Sequence, residues 1–135
     1  MAAAAQTYTK SNFFHALHMQ ESSGKLKAPA GDNGKALGPF QIWQVYFADS
    51  GVKGKYEQIC CTVQDSKTVV DGYMKRYAKN EWSDAMNMSQ VEKCARIHNG
   101  GPNGHTKQAT VQYWNQFKAH LSTKKQCQNN VACTD

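Results

Sequence analysis

Apolar residues along this chain recur at three- and four-residue intervals, and one long run of turn formers interrupts the pattern. Over residues 9–22, Phe13, Phe14, Leu17 and Met19 fall at helical spacings, with Thr9 or Ser11 placed to cap the first turn. The run that follows contains Gly24, Pro29, Gly31, Asn33, Gly34, Gly38 and Pro39, too many breakers for a helix and well suited to a hairpin or small sheet. Within it Asp32-Asn33-Gly34 is the strongest turn signal, because Asn and Gly tolerate positive φ. Pro39 suits the first turn of a helix over residues 40–49, whose Phe40, Ile42, Trp43, Tyr46 and Phe47 make it apolar almost all round. That segment is predicted to be the buried central helix, with Trp43 in the core. Further helices are predicted over 66–80, with Lys75, Arg76 and Lys79 outside, over 89–98, stopping at Asn99-Gly100-Gly101-Pro102, and over 106–121, with Trp114 inside. The pattern describes an α+β domain, mainly helical with one small sheet, with its core over 9–121, an N-terminal extension over 1–8 and a tail over 122–135.

At 135 residues the chain is one domain, long enough to bury roughly two thirds of its unfolded surface. Sixteen Lys and Arg against ten Asp and Glu leave a net charge of +6, which favours an anionic partner such as nucleic acid, bacterial wall polymer or an anionic membrane. The basic residues are dispersed, so neither a nucleic-acid arm nor a polybasic membrane anchor is expected. No segment approaches the roughly 18 to 20 apolar residues of a membrane span. Met1 to Gln6 contain only a four-alanine run, so either the chain is intracellular or a leader lies outside this sequence. Of five cysteines, Cys60 or Cys61 could meet Cys94, and Cys127 could close a small loop with Cys133. No metal and no cofactor is expected: Cys-x-x-Cys is missing, and His15 and His18 lack a third ligand.

Glu21 is the first residue whose position needs a reason beyond folding. It falls in the last turn of the first helix, where the helix dipole opposes a negative charge. Eleven extended residues would carry the chain roughly 36 Å away, so only a reversal at Asp32-Asn33-Gly34 returns Asp32 to Glu21. Two carboxyls flanking a cleft are what glycosidic cleavage requires, one protonated and donating to the leaving oxygen, the other ionised at the sugar carbon. Glu21, beside Phe13, Phe14 and Leu17, suits the raised pKa, and Asp32, in a polar hairpin, suits the ionised partner. Taken alone, the pair is more readily read as a surface helix residue and a turn former.

The wording of the segments adds to this. ESSG at Glu21, GDNGKALGPFQI from Gly31, GYMKRYAK from Gly72, CARIHNGGPNG from Cys94 and TVQYWNQF from Thr110 resemble, in that order, the invertebrate-type lysozyme and destabilase family. The resemblance covers residues 13–117 and implies a lysozyme-like fold that hydrolyses the β-1,4 bond between N-acetylmuramic acid and N-acetylglucosamine in peptidoglycan. It places the proton donor on Glu21 and the nucleophile of a retaining mechanism on Asp32. Gln41, Tyr46, His98 and Asn99 are the expected saccharide contacts. The wall polymer then becomes the anionic partner, with no nucleic acid, no membrane insertion and a monomer or weak dimer expected. Family members described as isopeptidases use a serine just after the aspartate; here Asn33 to Leu37 follow Asp32 and offer no hydroxyl. The cysteines around both catalytic positions in secreted animal members are replaced here by other residues. A secreted, lysosomal or phagocytic location, with an intracellular alternative, is the expectation. The rival readings are a lytic transglycosylase using Glu21 alone and a non-catalytic binder of peptidoglycan or chitin.

Overall fold

The computed structural model describes residues 6–121. The first helix, α1 (Lys10–Ser22), opens on Thr9, whose side chain accepts from the Asn12 N–H while the Asn12 side chain accepts from the Thr9 N–H. This reciprocal cap satisfies two backbone donors that a helix N-terminus otherwise leaves unpaired. The helix ends at Ser23, left-handed at φ 57°, so Glu21 does sit in its last turn. A short antiparallel ribbon follows, β1 (Ala36–Leu37) and β2 (Ile42–Trp43), pairing Ala36 with Trp43 and Leu37 with Ile42. Four more helices complete most of the chain: α2 (Gln44–Ser50), the single-turn α3 (Tyr56–Ile59), α4 (Val63–Tyr77) and α5 (Met88–Gly100). Two 3₁₀ turns, Gly104–Thr106 and Gln108–Thr110, lead into α6 (Val111–Leu121).

The predicted helix over 40–49 is corrected. Gly38 and Gln41 both take left-handed φ, 75° and 52°, so no helix can propagate from Pro39. Ile42 and Trp43 pair as a strand instead, and α2 begins only at Gln44 with Val45 exposed. The apolar run is therefore divided between ribbon and short helix and is no central helix. Gly38 is indispensable there, since a Cβ would lie 1.8 Å from the Cys60 carbonyl oxygen. The last predicted helix also starts later, because residues 104–110 are taken up by the two 3₁₀ turns, and α3 had no signal of its own in the hydrophobic spacing.

The core gathers Phe13 and Leu17 of α1, Phe40, Val69, Val70 and Met74 of α4, Val91 and Ile97 of α5, and Phe117 of α6. Phe14 stacks on Phe40 with centroids 5.9 Å apart, and Phe13 meets Trp82 edge-on at 5.1 Å. Each buried Phe or Leu contributes roughly 1.5–3 kcal/mol relative to exposure. Tyr8, assigned above to an extension outside the core, is buried and exchanges two backbone hydrogen bonds with Met86, at 2.7 and 2.9 Å. The expected bridge from Cys60 or Cys61 to Cys94 does not form: all three are free thiols, Cys60 and Cys94 buried and Cys61 exposed. The Cys127–Cys133 pairing lies outside the described residues.

Candidate active site

The C-terminal end of α1, the ribbon and the ends of α5 and α6 enclose a polar cleft of about 320 Å³, lined by Gln20, Glu21, Asp32, Gln41, Trp43, His98, Asn99 and Tyr113. Both candidate carboxyls face it from different walls.

On the helical wall Glu21 has a side chain only 16% exposed. The Tyr113 hydroxyl donates to its Oε2 at 2.5 Å, and His98 Nε2 lies 3.5 Å from the same oxygen. Burial pushes the Glu21 pKa up to about 7; the Tyr113 hydrogen bond works against that rise, and the charge of Asp32 adds to it. The histidine is held neutral, since burial drives its pKa down to about 4 despite the bond to the Phe40 carbonyl. Because a carbonyl only accepts, His98 Nε2 carries the hydrogen toward Phe40 O at 3.1 Å, leaving Nδ1 to accept from the Tyr46 hydroxyl at 2.9 Å. The approach of His98 to Glu21 is therefore not an ion pair at the pH where Glu21 holds its proton.

On the ribbon wall Asp32 and Asn33 are the central residues of a tight turn, at φ 49° and 59°, closed by the Gly34 N–H on the Gly31 carbonyl at 2.9 Å. Gly31 and Ala36 then exchange hydrogen bonds at 2.8 and 3.1 Å, which brings the turn back over the cleft. Asp32 is exposed, and its Oδ2 accepts from Trp43 Nε1 at 3.2 Å. The loop between α1 and the ribbon is tied down at both ends. Ser22 Oγ donates to the Pro39 carbonyl at 2.8 Å, and Gln41 Nε2 donates to the carbonyls of Gly38 at 2.9 Å and Pro29 at 3.2 Å.

Of the expected saccharide contacts, Gln41, His98 and Asn99 line the cleft, with Asn99 exposed. The Gln41 amide nitrogen is occupied by the loop, and His98 is buried with both ring nitrogens engaged. Tyr46 is corrected: it is a core residue behind His98, stacked on Tyr73 at 3.6 Å, and does not reach the cleft. Trp43 is corrected in the other direction, since it is 42% exposed on the cleft wall.

The profile of the Destabilase family matches residues 11–120. The chain belongs to the invertebrate-type lysozyme and destabilase family. Among curated relatives it is 39% identical over 84 residues to a lysozyme of Meretrix lusoria, covering 62% of this chain and 66% of that protein, just under two thirds of its length. It is 32% identical over 124 residues to invertebrate-type lysozyme 6 of Caenorhabditis elegans, covering 84% of this chain and 88% of that protein. The fold superposes on the crystal structure of an inhibitor-bound lysozyme from Meretrix lusoria with a TM-score of 0.68 at 28% identity, covering 86% and 93% of the two chains. The fold is the lysozyme-like α+β fold.

In this destabilase-family chain the glycines of the RIHNGGPNG segment place α6. A Cβ at Gly104 would lie 2.0 Å from the Arg96 carbonyl oxygen, so only glycine lets the connection lie against α5. Arg96 then grips it through Thr110 Oγ1 at 2.8 Å and the Lys107 carbonyl at 2.9 Å. The chain turns into α6 and delivers Tyr113 to Glu21. Sequence reasoning missed Tyr113 and Trp43 as site residues. Tyr113 had no signal beyond its place beside Trp114 on the last helix, and Trp43 was hidden in an apolar run. Among the described residues no group of three His, Cys, Asp or Glu side chains is arranged to hold a metal.

Proposed function

We propose that this chain is a muramidase that hydrolyses the β-1,4 bond between N-acetylmuramic acid and N-acetylglucosamine in bacterial peptidoglycan, with Glu21 as proton donor and Asp32 as the ionised partner of a retaining mechanism. The observation that carries this reading is the division of environments across one cleft: a buried carboxyl with its pKa raised to about 7, facing an exposed carboxylate on a turn. Membership of a family that includes proteins named lysozyme supports the same substrate class.

Glu21, protonated below about pH 7, gives its proton to the leaving glycosidic oxygen while that C–O bond breaks. Asp32 bonds to the anomeric carbon from the opposite face, giving a glycosyl-enzyme ester. Glu21, now a carboxylate, takes a proton from water, whose oxygen attacks the same carbon and releases Asp32 with net retention. No step calls for a metal. The dispersed +6 charge favours capture of the anionic wall. The Meretrix lusoria lysozyme structure is an inhibitor-bound one, and inhibitor binding is part of the proposal for this chain.

The test is digestion of purified peptidoglycan with product identification by mass and by anomer-resolved NMR. Reducing muropeptides released first as the β-anomer, and lost in Glu21→Gln, are the expected result. Anhydromuramyl products from an active Asp32→Asn variant would instead make the enzyme a lytic transglycosylase. Sedimentation with the wall without cleavage would make it a binder.

A further inference from the structure

Glu21 faces ionisable groups from four directions: Tyr113 on α6, His98 on α5, Tyr46 on α2 behind His98, and Asp32 on the turn. Two of these meet it directly, and both meet Oε2. Tyr113 donates to it at 2.5 Å, and His98 Nε2, whose hydrogen is bonded to Phe40 O, lies 3.5 Å away. The two oxygens of the carboxyl are therefore not equivalent.

We propose that Tyr113 is a positioning residue for the proton donor: its hydroxyl fixes Oε2, leaves Oε1 to carry and deliver the reacting proton, and stabilises the carboxylate that remains. The proposal rests on Glu21 being the general acid, and it assigns a role to a residue outside the two carboxyls. The physical need is specific. A carboxyl buried well enough to stay protonated near neutrality is also poorly placed to release its proton, because the resulting charge has little solvent. A donor aimed at one oxygen offsets that loss without bringing in a positive charge. Tyr113 can do this across the working range, since burial and the neighbouring Glu21 both push its own pKa well above the ordinary phenol value. A cation in the same place would instead favour the ionised form of Glu21. The neutral His98 and the phenol together leave the acid intact.

The test is Tyr113→Phe, together with 3-fluorotyrosine at position 113, a stronger donor of nearly unchanged shape. In Tyr113→Phe the basic limb of the kcat/KM profile is expected to move up by about one to two pH units, as loss of a hydrogen bond to a charged group implies. Turnover below that limb is expected to fall roughly tenfold or more, with KM little changed, since the lost bond acts on the developing carboxylate. The fluorinated residue is expected to move the limb the other way. Titration of the Glu21 carboxyl by ¹³C NMR reads the same shifts without turnover. If the protein cleaves no peptidoglycan but the titration moves as stated, the functional reading fails and takes the role in proton donation with it, leaving only the hold of Tyr113 on the carboxyl. A Glu21 titration unmoved by either replacement overturns the proposal, whatever the activity.

Discussion

The two walls of the cleft are built by opposite means from similar residues. The helical wall is assembled from distant parts of the chain, α1, α5 and α6, and the bond between Tyr113 and Glu21 joins positions 92 residues apart. It is dry, and its carboxyl is correspondingly hard to ionise. The ribbon wall is assembled locally, within a dozen residues, from a turn and two short strands. It is wet, and Asp32 stands on it exposed beside an exposed Trp43. Each carboxyl nevertheless has one oxygen held by an aromatic donor, Tyr113 on the dry side and Trp43 on the wet side. Identical chemistry in both places would give two acids of similar strength. The separation of roles comes from solvent.

The sharpest break in this comparison is Glu21→Gln. Turnover should fall by about 10² to 10⁴, the usual contribution of a placed general acid. Stability should move the opposite way. The folded pKa of about 7 exceeds the reference value of 4.5, so between these values the folded state binds more protons than the unfolded one, and stability falls as pH rises. By pH 8 the buried charge costs about 3 kcal/mol, which Gln removes, whereas at pH 4 the variant and the parent should be nearly equal. Urea unfolding at the two pH values checks this. Equal stabilities at pH 8 would mean that the helical wall is not dry.

Asp32→Asn should also reduce turnover, on the order of 10² or more, as removal of a group facing developing charge does. Its stability should change by less than about 0.5 kcal/mol, because the residue is exposed and Asn accepts the left-handed φ of 49°. Activity and unfolding assays on one preparation separate the two effects.

Gly38→Ala attacks the placement of the ribbon rather than its chemistry. The φ of 75° and the 1.8 Å approach to the Cys60 carbonyl leave no room for a methyl group. A loss of more than about 1 kcal/mol is expected, with turnover reduced because Ser22 and Gln41 anchor to the same segment. A thermal melt unchanged from the parent would contradict the close approach.

The smallest effect is expected at Trp43→Phe, which keeps an aromatic face and loses the bond to Asp32. A loss of about 0.5–1.5 kcal/mol in kcat, with KM nearly constant, fits a donor that steadies the carboxylate. A change confined to KM would assign Trp43 to saccharide contact alone.

Much of the fold was legible because periodicity and caps are local. The first helix, the break at 24–39 and the glycine stop of α5, two residues later than predicted, followed from spacing and from residues that tolerate positive φ. The misreadings share a cause. Residues 40–49 look helical by apolar content, but the backbone at Gly38 and Gln41 is set by contact with Cys60 and by the hairpin, neither visible in the segment. Tyr46 and Trp43 exchanged their expected places, since facing direction depends on where a strand ends and a helix begins.

By itself the sequence determined that a carboxyl sits at the end of an apolar helix, that a second sits in a reversing turn, and that glycines punctuate the chain where it must bend. These are properties of neighbours a few bonds apart. Only the tertiary structure decided that the two carboxyls share a cleft, that Tyr113 and His98 converge on one oxygen of Glu21, and that Glu21 keeps its proton near neutrality. Desolvation is a property of everything packed around an atom, and in this protein those surroundings come from helices at opposite ends of the chain.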